Sequence, residues 1–294
     1  MVVLPRDQRD TIATYLAAHY PVKPAPAGVM LSGPATVQIT EWMAPTLGSR
    51  PHDPLAAADG SIWWSGMFSN HLGRVDPRTG AIKEFPLPTA GSSPHALVED
   101  RAGNIYFTAN NPNREVTIGK IDAKTGVVKY IKTANASGNA ATAHGLVRDN
   151  DGNFWFDINT GRRGLGKLDV KTDTITVYQT PPDMSPLGGA VTMDVDGKGK
   201  IWASTPVGAV RFDPASERFT EFKSPATTVK GAITTYGAAG DRDGNGWWAQ
   251  MSVDTIGKGD VASGKSIAVK LPSLKDQPEM RIGMIFCEHM MGFI

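Results

Sequence analysis

The sequence has little of several features that would point to particular functions. Only one of its 294 residues is a cysteine, Cys287, so no disulfide can form within the chain. Cysteine-based zinc sites and haem attachment through a cysteine pair are excluded for the same reason. Lysine and arginine (30) nearly balance aspartate and glutamate (29), which leaves a formal net charge of +1. A chain this close to neutral lacks the electrostatic footprint of a nucleic-acid-binding protein and the charge that would draw it to a membrane surface.

Long apolar runs are missing as well. No run approaches the roughly 18 residues that a membrane span requires, and residues 1–7 lack the cationic and apolar regions of a secretory signal. The chain is rich instead in turn formers, with 32 glycines and 21 prolines. These two residues together make up only roughly 12 % of an average protein. Turn-rich composition at this length favours an all-β fold over a helical one.

The chain divides into three segments of different character. Residues 1–36 combine a linker rich in proline and alanine with a short amphipathic helix, expected from Asp7 to Tyr20 because Ile12 and Tyr15 have helical spacing. Residues 37–280 carry repeated motifs. Residues 281–294 abandon the repeat, and we expect them to form an irregular tail.

An internal repeat is the strongest signal in the sequence. A turn with glycine at a fixed place precedes an aromatic strand five times, at intervals of 43 to 49 residues. These glycines are Gly60, Gly103, Gly152, Gly199 and Gly244. A second motif follows each time and leads through a turn into an alternating strand. It begins at Gly73, Gly119, Gly166, Gly208 and Gly257.

Each unit reads as four antiparallel strands, and four strands in about 45 residues are typical of one blade of a β-propeller. The fold class is therefore an all-β propeller with a short N-terminal helix. Five repeats are visible, whereas rings of six or seven blades are commoner for this repeat length, so we expect a truncated six- or seven-bladed ring. Residues 37–42 read as an outer strand ahead of the first unit.

The first strand of each unit opens with a recurring signature at the expected central channel. It contains His52, His95 and His144 in the first three units, the segment 186–189 in the fourth and Tyr236 in the fifth. By the symmetry of the repeat, these side chains should point to one mouth of the channel. Imidazole side chains can act as general bases or as metal ligands. The alternative is structural, because a histidine repeated once per blade can simply bond the backbone of a neighbouring blade.

The repeat resembles that of the virginiamycin B lyase (streptogramin lyase) family. The residues that carry this resemblance are the Pro-His signatures, the Asp-Gly turns before Trp, the Gly-[Lys/Arg]-[Ile/Val/Leu]-Asp motifs and the Thr-Gly turns, spread over residues 37–272. The resemblance implies a seven-bladed propeller and a C–O lyase that opens a cyclic depsipeptide or related ester by elimination. It also implies Mg²⁺ as cofactor and a histidine as general base.

In this chain His144 is the first candidate for the base, because the small Gly145 after it would let a substrate approach the backbone closely. His95 is the second catalytic candidate, and His52 and Tyr236 are candidate ligand-binding residues. The resemblance implies acidic metal ligands two positions before and fourteen positions after a channel histidine. This chain has no acidic residue at those positions, so the metal ligands stay unassigned. Those positions hold Arg50, Ser93, Thr142, Gly66, Ala109 and Ile158. We therefore expect weak or absent turnover.

Two other functions stay open. A lactonase of the gluconolactonase-like propellers would need an axial calcium site of Glu, Asn and Asp, which these motifs do not assemble. A non-catalytic ligand-binding propeller of an exported redox protein is the second. Residues 4–17 resemble the last helix of a small c-type cytochrome domain, which implies such a domain, and a periplasmic or secreted location, for the parent protein. This chain has no Cys-x-x-Cys-His and so no haem by that route. The expected partner is a small-molecule or peptide-like ligand, with neither nucleic acid nor membrane.

Overall fold

A computed structural model describes residues 6–19, 38–110, 118–131, 142–158, 163–187, 191–225, 235–250 and 255–270. The chain divides into two compact units between Glu41 and Trp42. The first unit contains one helix, α1 (Arg6–His19), which begins and ends one residue before the expected helix. Among the described residues, no helix has the length and apolar character of a membrane span.

The second unit consists of five four-stranded antiparallel sheets, each built from strands that follow one another along the chain. Blade one holds β1 (Pro51–Ala56), β2 (Ile62–Gly66), β3 (His71–Val75) and β4 (Ile82–Pro86). Blade two holds β5 (Pro94–Glu99), β6 (Ile105–Ala109), β7 (Ile118–Ile121) and β8 (Val128–Ile131). Blade three holds β9 (Leu146–Arg148), β10 (Phe154–Ile158), β11 (Gly164–Asp169) and β12 (Thr174–Gln179).

Blade four holds β13 (Met193–Val195), β14 (Ile201–Thr205), β15 (Gly208–Asp213) and β16 (Arg218–Lys223). Blade five holds β17 (Thr235–Gly240), β18 (Gly246–Gln250), β19 (Thr255–Asp260) and β20 (Lys265–Lys270). The first strands of successive blades contact one another in chain order, β1 with β5, β5 with β9, β9 with β13 and β13 with β17. This arrangement confirms the β-propeller architecture.

The hairpins between the first and second strands form where the turn glycines predict them. All five glycines have φ between +71° and +93°, the left-handed region that side chains with a Cβ rarely adopt. In four blades an aspartate fixes the turn by accepting hydrogen bonds from the backbone N–H groups two and four positions later. These aspartates are Asp100, Asp149, Asp196 and Asp241.

Within four of the blades, an aromatic ring on the second strand covers a glycine on the third strand. The pairs are Trp64 with Gly73, Phe107 with Gly119, Phe156 with Gly166 and Trp248 with Gly257. A Cβ added at any of these glycines would lie 1.9 to 2.3 Å from a ring atom. In blade four the small residue, Ala203, is on the second strand, and the larger residue opposite it on the third strand is Val210. The glycine of the second repeated motif is therefore explained by packing.

The hydrophobic cores lie between neighbouring blades. Tyr106 of blade two meets Phe154 of blade three with ring centroids 4.6 Å apart. Trp155 of blade three meets Phe212 of blade four at 5.4 Å. Five tryptophans of the second strands are buried, namely Trp63, Trp64, Trp155, Trp202 and Trp248, and Trp247 is half-buried. Aromatic side chains bury large apolar areas, and these rings contribute such area between neighbouring blades.

Two expectations about the ends have different outcomes. Residues 38–42 contain no strand, in contrast to the expected outer strand over 37–42. A strand requires a partner for its N–H and C=O groups, and each of the five sheets is already complete with four strands from its own unit. The expected irregular tail, 281–294, lies outside the described residues.

Candidate functional site

The candidate residues sit where the first strands depart from regular pairing. The register shifts after His52 in β1, after Pro94 in β5 and after Tyr236 in β17. A β-bulge of this kind turns a side chain away from the alternation of the strand and is common beside binding sites. His144 lies two residues ahead of β9. The candidate residues thus lie on irregular backbone at or just before the start of the first strands.

The structure brings all four candidate side chains together. The ring centroids of His52 and His95 are 4.4 Å apart, and those of His95 and His144 are 3.7 Å apart. Tyr236 approaches His144 edge-on, with the centroids 6.1 Å apart. Three consecutive blades and blade five therefore contribute to one cluster of rings. The roles assigned to these residues stay predictions.

In blade four the equivalent position belongs to Val191, whereas the sequence suggested the segment 186–189. The side chain of Ser65 on the second strand of blade one hydrogen-bonds the backbone of His52, 13 positions earlier. In blade three, Asp157 likewise hydrogen-bonds the backbone of His144, 13 positions earlier. The same separation back from Ser204 gives Val191. Its carbonyl oxygen lies 2.9 Å from Nδ1 of His144. Blade four thus contributes a backbone acceptor instead of a ring.

Asp53 joins two of the histidines. Its Oδ1 lies 2.6 Å from Nδ1 of His52, and its Oδ2 lies 2.9 Å from Nδ1 of His95. Burial alone would raise the pKa of the Asp53 carboxyl, but the hydrogen bond with His52 and the contacts with His95 outweigh it and hold that pKa well below its usual range. The carboxylate is therefore ionised and bridges two imidazoles from neighbouring blades.

His144 is held by its backbone as well as by its ring. Because Nδ1 faces the carbonyl oxygen of Val191, Nδ1 carries the proton and Nε2 is the basic nitrogen. Oδ1 of Asp157 accepts hydrogen bonds from the backbone N–H groups of His144 and Gly145. Burial, and next the neighbouring His95, lower the pKa of His144 to about 3. The imidazole is therefore neutral at physiological pH.

Gly145 does not give a substrate access to the backbone, as the sequence suggested. A Cβ at this position would lie 2.7 Å from the carbonyl oxygen of Val191. The space beside Gly145 is occupied by blade four. The glycine is needed for the close approach of two blades. His144 differs from the other histidines by the contacts of its own ring.

Asp53 and Asp157 are the two site residues that the sequence analysis missed. The signal for Asp157 is its place on the second strand, where the other blades carry a hydroxyl or a methyl group. Those residues are Ser65, Thr108, Ser204 and Ala249. The signal for Asp53 is its place directly after the channel residue, where blades three and five have Gly145 and Gly237. In both cases one blade departs from the repeat with a carboxylate.

The donor atoms at this mouth suit magnesium poorly. Mg²⁺ prefers an octahedron of oxygen ligands, whereas His52, Asp53 and His95 offer two imidazole nitrogens and one carboxylate. Mg²⁺, which the resemblance implies, therefore does not fit these residues, and no chemical step is derived through it.

Comparison with known proteins shows the family of the chain. Residues 33–227 match the sequence profile of the virginiamycin B lyase family. The chain belongs to the virginiamycin B lyase family. No protein with a curated description matches the chain. The resemblance of residues 4–17 to a cytochrome helix lies outside the matched range and stays a prediction.

Solved structures of virginiamycin B lyases share the fold of this family member. A selenomethionine-substituted virginiamycin B lyase from Staphylococcus aureus superimposes with a TM-score of 0.64 at 23 % identity, covering 79 % of this chain and 72 % of that chain. A streptogramin B lyase gives a TM-score of 0.67 at 22 % identity, with coverage of 82 % and 74 %. A catalytically inactive histidine-to-alanine variant of the S. aureus lyase, with quinupristin, gives 0.63 at 22 %, with coverage of 76 % and 71 %.

Proposed function

We propose that the mouth formed by His52, His95, His144 and Tyr236 binds a cyclic depsipeptide or a related ester and opens it slowly by elimination. One observation carries the proposal: rings from four different blades meet there, with neighbouring centroids 3.7 to 6.1 Å apart. Family membership supports it. So does the structure of the S. aureus lyase with quinupristin, in which the variant with one histidine replaced by alanine is catalytically inactive.

In this proposal His144 is the general base. Its Nε2 takes a proton from the carbon next to a carbonyl group, the electron pair of that C–H bond forms a C=C bond, and the adjacent C–O bond breaks. The ester carboxylate leaves, and the ring opens without addition of water. A general base contributes roughly 10²–10⁴-fold to a rate. The low pKa of His144 places its contribution toward the lower end, since a weak base gains little by accepting the proton.

The other three rings bind the ligand and orient it relative to His144. The ring of His95 lies between those of His52 and His144, and its contact with His144 fixes the orientation of that ring toward the ligand. Tyr236 is half-buried at the opposite edge of the cluster, and its phenol can donate a hydrogen bond to a carbonyl group of the ligand. His52, the most exposed of the three imidazoles, would contact the part of the ligand nearest to solvent.

A second candidate is ligand binding without turnover. The observation that favours it is the lack of acidic residues two positions before and fourteen positions after the channel histidines, where the resemblance implies metal ligands. These positions, all within the described part of the chain, are Arg50, Ser93, Thr142, Gly66, Ala109 and Ile158. A binding propeller of an exported redox protein, beside a cytochrome c domain, would need the ring cluster but no catalytic metal.

The experiment incubates the purified chain with quinupristin, with and without Mg²⁺, and follows the compound by chromatography and mass spectrometry. Elimination gives a ring-opened product of unchanged mass, whereas hydrolysis adds the mass of one water. We expect slow formation of the isobaric product, abolished in His144→Ala and unchanged in the control His19→Ala, which removes an exposed histidine of α1. Binding of quinupristin by the wild-type chain without any product would overturn the lyase and support the second candidate.

A further inference from the structure

One cluster among the candidate site residues has the composition of a metal site. The proposed lyase uses its two histidines, His52 and His95, only to bind and orient the ligand and gives Asp53 no role. The side chains of His52, Asp53 and His95 each offer one donor atom, and these three atoms lie within 4.8 Å of one another. Among the residues that the structure describes, this is the one group of three or more histidine, cysteine, aspartate or glutamate side chains arranged in this way. We propose that His52, Asp53 and His95 bind a single divalent transition-metal ion of the zinc type.

The chemistry of the donors selects the ion. Imidazole nitrogen suits zinc, copper, iron and nickel, whereas carboxylate, carbonyl and water oxygens suit magnesium and calcium. Two imidazoles with one carboxylate are therefore a poor cage for Mg²⁺ and an ordinary one for Zn²⁺. Three protein ligands leave at least one coordination position for water or for a ligand in the channel, as in catalytic rather than structural zinc sites.

The donor atoms lie close to the spacing that a bound ion requires. The carboxylate oxygens of Asp53 lie 2.6 Å from Nδ1 of His52 and 2.9 Å from Nδ1 of His95. Ligand atoms bound to zinc at about 2.0–2.1 Å in a tetrahedron are roughly 3.3 Å apart. His52 can move outward to make this room, because its side chain is 25 % exposed while those of Asp53 and His95 are 2 % and 3 % exposed.

The backbone at Asp53 indicates that the position of this carboxylate is not incidental. Asp53 has φ of +42°, in the left-handed region, whereas Gly237 occupies the equivalent place in blade five with φ of +65°. Aspartate is one of the few residues besides glycine that adopt this conformation readily. The bulge that follows His52 directs the carboxylate toward the histidines of both blades. A cation would also offset the cost of burying the ionised carboxylate.

The proposal does not depend on the lyase reaction. The ring of His144 packs against that of His95 at a tilt of 39°, with centroids 3.7 Å apart, so an ion bound by the three ligands would lie beside the residue assigned as base. Metal binding is nevertheless measured directly, without any substrate. Failure of the lyase assay would therefore leave the metal site standing, and failure of the metal site would leave the lyase proposal standing.

The experiment titrates the chelator-treated full chain with Zn²⁺ by calorimetry and with Co²⁺ by visible absorption. Cys287, His289 and the exposed His19 could also supply donors, so the titrations use a Cys287→Ser, His289→Ala background. We expect one ion per chain, Co²⁺ bands of a nitrogen–oxygen site, and no displacement by millimolar Mg²⁺. Loss of a residue that only supports a metal ligand typically lowers metal affinity by about 10–100-fold. Since His52→Ala, Asp53→Asn and His95→Gln each alter a ligand itself, zinc affinity should fall by at least this factor in each variant. His19→Ala, in the same background, should bind as tightly as its parent.

Thermal unfolding provides a second readout and a check on folding. An ion that binds only the folded chain raises its melting temperature, so zinc should stabilise the parent and His19→Ala but not Asp53→Asn, whose asparagine tolerates a left-handed φ. If His95→Gln fails to fold, His52→Ala and Asp53→Asn decide the outcome. Zinc affinity in these two variants equal to that of the parent, or absence of one-to-one binding in the parent, would overturn the proposal and leave Asp53 as a carboxylate that only hydrogen-bonds two histidines.

Discussion

Oδ1 of Asp157 accepts a hydrogen bond from the backbone N–H of His144 at 2.8 Å and a second from the backbone N–H of Gly145 at 2.7 Å. Asp157 is completely buried on the second strand of blade three. It therefore fixes the backbone just ahead of β9 and, through it, the ring of His144. We regard Asp157 as a positioning residue, since it acts on the candidate site through His144.

We predict that Asp157→Ala lowers the free energy of unfolding by about 2–4 kcal/mol, because it leaves two buried N–H groups without their acceptor. Asp157→Asn keeps an acceptor oxygen and should cost less than half as much. Ser204→Ala is the matched control, since Ser204 holds the equivalent place in blade four and accepts a single N–H, that of Thr192, at 3.0 Å. Urea unfolding measures all three. A loss in Asp157→Ala no larger than in Ser204→Ala would show that the second hydrogen bond of Asp157 adds no stability.

The reversed sizes in blade four suggest a swap in blade two. Gly119→Val alone should destabilise by roughly 1–3 kcal/mol or more through overpacking, because its Cβ would lie 2.0 Å from Cζ of Phe107. Phe107→Ala alone should cost about 3–5 kcal/mol through the cavity it leaves. The double variant Phe107→Ala, Gly119→Val reproduces the Ala203–Val210 pair of blade four. It should lose at least about 1 kcal/mol less stability than the sum of the losses in the two single variants. Strict additivity in denaturant unfolding would show that ring and glycine do not compensate each other.

Two tryptophans make the same hydrogen bond in different surroundings. Nε1 of Trp202 and Nε1 of Trp247 each donate to a turn aspartate at 3.0 Å, Asp196 and Asp241 respectively. Trp202→Phe should destabilise by about 2–3 kcal/mol, because the side chain of Asp196 is completely buried and a charged acceptor loses a partner. Trp247→Phe should cost about 1 kcal/mol, since Trp247 is half-buried and water can replace its N–H. Equal losses in urea unfolding would be inconsistent with burial as the deciding factor.

The ion pair between Lys200 and Asp213 gives a stability term that depends on pH. Nζ of Lys200 lies 2.6 Å from Oδ1 of Asp213, and this hydrogen bond is the main cause that lowers the pKa of Asp213 from its ordinary 3.8 to about 2. A carboxyl with a lower pKa in the folded state adds stability above its unfolded pKa and loses it as the pH falls through the folded pKa.

Asp213→Asn should therefore be less stable than wild type by up to about 1 kcal/mol at pH 7, the value of a partly exposed pair. The difference should shrink between pH 4 and pH 2 and vanish below. Lys200→Met should show the same trend, since it removes the same hydrogen bond. Chemical denaturation at a series of pH values tests this. A difference that persists unchanged at pH 2 would assign the loss to packing.

Much of the fold could be predicted from the sequence because its signals are local. Gly60 and Gly152 lie in tight hairpins whose positive φ follows from adjacent residues alone. The buried aromatic strand directly after each turn follows from side chains a few positions away. The five-fold recurrence then repeats the same local evidence, and this redundancy is what identifies a propeller. Convergence of His52, His95 and His144 followed from the same symmetry.

Local patterns in the amino-acid sequence specify the blades, their turns and the set of rings that converge at the candidate site. Which groups bind those rings to one another depends on how the blades pack in three dimensions. Asp53 reaches His95, 42 positions away, only because a bulge in β1 gives it a left-handed φ and shifts the strand alternation that a sequence pattern assumes. Val191 meets His144 through its carbonyl oxygen, a group that every residue carries and no side-chain pattern reveals. Contacts made by backbone atoms across blades, and by side chains redirected at bulges, depend on how the blades pack, which no single repeat unit specifies.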